Sequence, residues 1–159
     1  MQIYVLRHGI AEDAKPGGSD AERKLTDEGK EKLRRVLKRA RDAGVSPSLI
    51  VTSPLVRAVE TAELAAVVLG YKDKLLRTKA LEPGATPEQA WDEIRTHKDE
   101  TELLLAGHEP LFSQLAAYLL RSPGLQVDMK KGALVRIDVD NFGAEPRGVL
   151  KWMLTPRVV

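Results

Sequence analysis

The chain has 159 residues, with 25 basic and 23 acidic side chains and a formal net charge of +2. That length suits one domain, residues 1–159, with a core that needs no staples. The near-balance of charge leaves no polybasic footprint for nucleic acid or an anionic membrane. With no cysteine, disulfides, thiolate metal sites and cysteine nucleophiles are excluded, in keeping with a reducing compartment.

Ile3–Leu6 is a short apolar run and is predicted to be a buried strand. The segment around it lacks the charged lead-in and small-residue cleavage site of a signal peptide. No stretch is apolar for long enough to span a bilayer, so the expected location is the cytoplasm. Residues 12–24 are polar, hold Pro16, Gly17 and Gly18, and read as a loop. A helix should start at Thr26, a good N-cap followed by Asp27 and Glu28 at the positive end of the dipole. Leu33, Val36, Leu37 and Ala40 recur at helical spacing until Gly44.

Leu49–Thr52 is the next predicted strand. Ser53-Pro54 reads as an N-cap with proline in the first turn of a second helix, which Gly70 closes. A weak strand is expected at 74–78. Thr86-Pro87-Glu88-Gln89 is a capping box opening a third helix, with Ala90, Trp91 and Ile94 facing inward. Residues 102–106 form a strand, 110–120 a helix, and 133–139 with 149–154 a closing pair of strands. Trp91 and Trp152 are expected in the core, and His97 in solvent. Strands alternating with helices imply an α/β three-layer sandwich, with a mostly parallel central sheet flanked by helices and no cap domain.

In such sheets ligands bind at the carboxyl ends of the strands, near a topological switch point. The polar residues after each strand should therefore make chemical sense as a group. After the first come Arg7 and His8. After the second come Ser53 and, one turn into the helix, Arg57. Glu82 lies in a loop after the third, and His108 follows the fourth. Two arginines favour a phosphoryl group, because the guanidinium fork matches phosphate oxygens in pairs and stays charged. The start of the helix after Ser53 would add backbone donors. A neutral histidine can attack phosphorus. A second, cationic histidine can hold oxygens where charge develops. A carboxylic acid can protonate the leaving group. Gly9 would let the backbone approach the ligand closely. No metal or other cofactor is needed.

Several motifs carry a resemblance to the histidine phosphatase (phosphoglycerate-mutase-like) superfamily. They are Tyr4-Val5-Leu6-Arg7-His8-Gly9, Leu25-Thr26-Asp27-Glu28-Gly29, the run from Val51 to Ala62 around Arg57, and Leu104-Leu105-Ala106-Gly107-His108-Glu109-Pro110. They follow the family's order and span most of the chain. The resemblance implies that His8 is the transiently phosphorylated nucleophile and that Arg7, Arg57 and His108 form the phosphate pocket. It points to Glu82, after Leu81, as a candidate general acid or equally a solvated carboxylate. The missing cap, the run Glu22-Arg23-Lys24-Leu25-Thr26 and the ending Trp152-Met153-Leu154-Thr155-Pro156 resemble the compact branch of SixA-type phosphohistidine phosphatases. In that branch an arginine matching Arg23 lies near the site.

The reaction so implied is metal-independent phosphoryl transfer to His8, from a phosphorylated histidine-containing protein in signalling or phosphocarrier traffic. An imidazole leaving group, with a pKa of about 6.5, needs less help from an acid than an alcohol does. A phosphomonoesterase acting on a small metabolite through Glu82 is the alternative. A phosphate-binding module without turnover is another, and a metal hydrolase using His8, His108 and Asp13 or Glu12 a third. Two arginines at one site would repel a divalent cation, and the HExxH-type spacing is absent.

Overall fold

A computed structural model describes all 159 residues. The sheet is built from β1 (Gln2–Arg7), β2 (Leu49–Thr52), β3 (Leu76–Arg77), β4 (Glu102–Gly107), β5 (Leu134–Val139) and β6 (Gly148–Leu154). The helices are α1 (Asp27–Asp42), α2 (Val56–Leu69), α3 (Pro87–Thr96) and α4 (Leu111–Leu119). Strand order is β3-β2-β4-β1-β5-β6. β3, β2, β4 and β1 run parallel, while β5 and β6 close the sheet in antiparallel fashion. No cap domain is inserted.

Alternation along the central strands divides the core between two faces. Tyr4, Leu6, Ile50 and Leu104 pack against Leu33, Val36 and Leu37 of α1 and Ala62 and Ala65 of α2. Ile3, Val5, Val51, Leu103 and Leu105 pack against Trp91 and Ile94 of α3 and Leu111, Phe112 and Leu115 of α4. The helix after β1 therefore covers one face, and the helix after the neighbouring β4 covers the other. This divergence between adjacent parallel strands makes the switch-point crevice where ligands enter such sheets.

Local chemistry sets two of the four helix starts. The Thr26 hydroxyl accepts from Gly29 N–H at 2.9 Å, and acids occupy the first turn of α1. Thr86 and Gln89 form the reciprocal capping box of α3. Other boundaries differ from the sequence reading. α2 starts at Val56 with Leu55 as its N-cap, so Ser53 is not the cap and Arg57 is the helix's second residue. The cause is that Ser53 N–H is bonded to the Ala106 carbonyl, which prolongs the β2–β4 ladder beyond β2. The strand expected at 74–78 shrinks to two exposed residues at the sheet edge.

Trp91 is buried, and its indole N–H donates to the Gly143 carbonyl. Trp152 is only half-buried, with its ring 6.0 Å from that of Tyr4. His97 is not free in solvent: its Nε2 lies 2.7 Å from the Glu93 carboxylate, one turn back on α3. No helix is long and apolar enough to cross a membrane.

Candidate active site

The parallel ladder carries three side chains to one level. His8 N–H donates to the Gly107 carbonyl at 2.9 Å, and Ser53 N–H to the Ala106 carbonyl at 3.0 Å. The residues just past β1, β2 and β4 thus stand side by side. The rings of His8 and His108 are 5.2 Å apart. His8, Ser53, Arg57 and His108 are all buried, with His108 only 1% exposed.

His8 is held in one tautomer. Its Nδ1 lies 2.7 Å from the Gly9 carbonyl, which can only accept, so Nδ1 carries the proton. Arg57 Nε donates to His8 Nε2 at 3.4 Å, which requires a lone pair there. Burial pushes the His8 pKa down to about 4, against the Gly9 bond, and the charges of Arg57, Arg7 and Lys131 lower it further. His8 is a neutral imidazole at neutral pH, with its unprotonated nitrogen facing Arg57.

In the free site His108 is neutral as well. Burial lowers its pKa to about 3, and the neighbouring His8 and Arg57 act in the same direction. The Asp20 carboxylate acts the other way, but burial and the neighbouring cations outweigh it. Its Nε2 is hydrogen-bonded to Ser53 Oγ at 2.8 Å, while its Nδ1 is buried without a partner. Ser53 therefore orients a histidine instead of capping a helix, although its hydroxyl also accepts from Leu55 N–H.

Arg57 is held from the loop before α1. Its Nη1 donates to the Asp20 carbonyl at 2.9 Å and its Nη2 to the Asp20 carboxylate at 3.1 Å. Arg23 Nη1 donates to the other Asp20 oxygen at 2.9 Å, and Arg23 Nε to the Glu12 carbonyl. Arg23 thus reaches the site only through Asp20. The Arg23 hydrogen bond and Arg57 together hold the Asp20 carboxyl below its ordinary pKa. From the far side, Thr61 donates to the Arg57 carbonyl and accepts from Gly9 N–H, tying α2 to the end of β1.

Arg7 is half-buried. Its Nη1 donates to the Met129 carbonyl at 2.8 Å, and its Nε is buried without a partner. Gly132 N–H is shared between the Arg7 and His8 carbonyls. Gly9 is closely packed: a Cβ there would lie 2.7 Å from Leu33 Cδ1 of α1. Glu82 follows the 3-10 turn Lys79–Leu81 and lines a separate cavity with Lys79, Gln89 and Asp92. It makes no hydrogen bond or ion pair with Arg7, His8, Arg57 or His108. No three His, Asp or Glu side chains gather as ligands for a metal ion, so His8, His108 and Asp13 or Glu12 do not form such a set.

The sequence reading missed Asp20, Thr61 and the 129–132 segment. Thr61 carries a signal, since it lies four residues after Arg57 on the same helix face. Asp20 has none beyond its place three residues before Arg23.

Comparison with known proteins bears on the family and the fold. The family model for the histidine phosphatase superfamily (branch 1) matches residues 3–81. An uncharacterized protein of Picosynechococcus sp. is 33% identical over 137 residues, covering 85% of this chain and 83% of that protein. Phosphohistidine phosphatase SixA of Escherichia coli is 27% identical over 163 residues, covering 98% and 94%. A solved structure of the protein histidine phosphatase SixA, complexed with tungstate, superposes with a TM-score of 0.87 at 25% identity, covering 99% and 98% of the two chains. That of a putative SixA from Agrobacterium tumefaciens superposes with a TM-score of 0.82 at 22% identity, covering 98% and 97%, and shares the fold. The chain belongs to the histidine phosphatase superfamily, in its compact, SixA-like branch.

Proposed function

We propose that the protein is a phosphohistidine phosphatase that works through a phosphorylated His8. One observation carries the reading: His8 is locked by the Gly9 carbonyl as a neutral imidazole whose bare Nε2 faces Arg57 beside His108. In the first step the Nε2 lone pair forms a bond to phosphorus and the bond from phosphorus to the substrate imidazole breaks. The departing nitrogen keeps the electron pair, and with its other nitrogen protonated it leaves as neutral imidazole. In the second step water attacks phospho-His8 in line, the P–Nε2 bond breaks, and inorganic phosphate leaves.

Arg7, Arg57 and His108 hold the equatorial oxygens in both steps. A phosphoryl dianion adds negative charge directly at the His108 ring, far more than the outlying Asp20 carboxylate supplies in the free site. Binding therefore raises the His108 pKa, and the ring takes up a proton as the substrate enters. Arg57 exchanges its bonds to Asp20 for bonds to the phosphoryl oxygens, and Ser53 keeps the His108 ring in register.

The preference for a P–N bond rests on the carboxylates. Asp20, the one carboxylate hydrogen-bonded to a pocket side chain, is kept ionised by Arg23 and Arg57 and makes a poor acid. Glu82 lacks any bond to the pocket. An imidazole leaving group tolerates this; an alkoxide does not.

The test is a panel of chemically phosphorylated histidine peptides, p-nitrophenyl phosphate and sugar phosphates, with wild type and His8→Ala. The expected result is turnover of the phosphohistidine peptides, labelled phosphate trapped on wild type, and at least about a thousandfold loss in His8→Ala. Brisk hydrolysis of the esters with untouched phosphohistidine would overturn the substrate assignment. Binding without turnover would point to the phosphate-binding module.

A further inference from the structure

Beside the phosphate pocket lies an open cavity of about 710 Å³ whose wall includes Arg7. Its other cations are Lys32, Arg35, Lys130, Lys131 and Arg157, joined by Ile10 and Pro156, and no carboxylate lines it. Two of these cations have partners beside them: Lys32 pairs with Glu28 at 2.9 Å, and Lys130 with Asp128 at 3.2 Å. Arg35, Lys131 and Arg157 form no ion pair and are exposed. The chain as a whole is nearly neutral, so this concentration is local.

The trough is fixed to the site by the backbone. Its walls come from α1, from the 130–131 segment, and from the 3-10 turn Pro156–Val158 after β6. They meet at Gly132, where a Cβ would lie 3.2 Å from Pro156 Cγ and 3.6 Å from Leu33 Cδ2, and where φ is +80°. Only glycine fits this crossing without strain. The Gly132 N–H bonded to the Arg7 and His8 carbonyls then couples the trough to the nucleophile's own strand end.

We infer that this trough is the docking surface for an acidic segment flanking the phosphorylated histidine of a protein substrate. The inference rests on the proposed phosphohistidine activity and adds what selects the substrate. Charge complementarity of this kind steers encounter and fixes orientation. The form of the site favours a protein over a second phosphate on a small molecule. A phosphate calls for convergent, buried donors such as Arg57, whereas these cations are exposed, separate and carried on long stems. No aromatic side chain lines the trough, so it lacks the stacking platform of a single-strand nucleic-acid groove.

The probes are two synthetic peptides with one central histidine, phosphorylated chemically, one flanked by Asp and Glu and one by Ser and Gly. Free phosphohistidine is the control. The variant is Arg35→Glu combined with Arg157→Glu, two exposed positions outside the phosphate pocket. The expected result is a kcat/KM about tenfold higher for the acidic peptide, most of it lost in the variant and in high salt. Turnover of free phosphohistidine should stay within about twofold of wild type, which also shows that the variant is folded. Equal kcat/KM for the two peptides, or an acidic preference retained in the variant, would overturn the trough. If no phosphohistidine probe is hydrolysed, the activity assignment fails by itself. The trough is then judged by the unphosphorylated acidic peptide as an inhibitor of p-nitrophenyl phosphate hydrolysis. Inhibition of wild type but not of the variant supports it, and equal or absent inhibition overturns it.

Discussion

The strand ends and the loops at their rim position side chains in different ways. His8 and Ser53 are set by backbone bonds that prolong the ladders of β1 and β2 along β4, and His108 follows directly on the last residue of β4. Their burial is complete or nearly so. Asp20 and Arg23 reach the same place from a polar loop, through side-chain bonds, and the Asp20 side chain is 59% exposed. Glu82 sits on a third kind of support, a 3-10 turn at the sheet edge, with no bond to the group. Precision thus falls, and freedom to move rises, from the ladder to the rim. Each difference predicts a different response to perturbation.

The largest expected effect is on stability, and it should separate the two regions by pH. In the folded chain His8 and His108 have pKa values of about 4 and about 3. Unfolded histidine titrates near 6.5. The unfolded state therefore binds more protons between these values. The contribution is fully present above pH 6.5 and is lost as pH falls through that value toward the folded pKa values. From about pH 6.5 to about pH 5 the loss should be on the order of 1 to 2 kcal/mol for each histidine. Urea midpoints at the two pH values measure it. His108→Asn should remove about half of the slope. An unchanged slope would mean that the free site already carries a proton.

The same division explains what could be read in advance. Arg7, His8, Arg57 and His108 lie just past apolar runs, and period and strand-end logic suffice to gather such residues. The Ser53-Pro54 pair carried an ambiguous signal. It has the chemistry of a helix cap, but the ladder bond to Ala106 claims its backbone and His108 its hydroxyl. Gly9 was ambiguous too, because a close approach by Leu33 looks in sequence like a close approach by a ligand. Asp20 was not legible, since a short 3-10 turn in a polar loop has no periodicity. The trough was hidden for another reason: α1, the 130–131 segment and the last turn come together only through the antiparallel closure of β5 and β6.

Asp20 tests the rim directly. Its carboxylate occupies Arg57 Nη2 at 3.1 Å, a donor that a phosphoryl oxygen would also use. Asp20→Asn removes a competing charge from an exposed position. Inorganic phosphate should then inhibit about threefold more tightly, with a modest loss in kcat as Arg57 loses its tether. Weaker phosphate binding would show that Asp20 serves mainly to orient Arg57.

The smallest expected effect belongs to Glu82, where the contrast between ladder and loop is sharpest. Nothing ties this carboxylate to His8, Arg57 or His108, and a proton donor must come within hydrogen-bond reach of the leaving atom. With a phosphohistidine peptide, Glu82→Gln should change kcat/KM by less than about threefold, because the imidazole leaves without an acid. With an alkyl phosphate the same variant should lose at least about tenfold if the loop swings Glu82 toward the substrate, and nothing if it stays at the sheet edge. The two substrates read one residue in opposite ways. A large loss on phosphohistidine would mean that the loop closes in every turnover, and that a position carried by a turn can be as catalytic as one carried by the ladder.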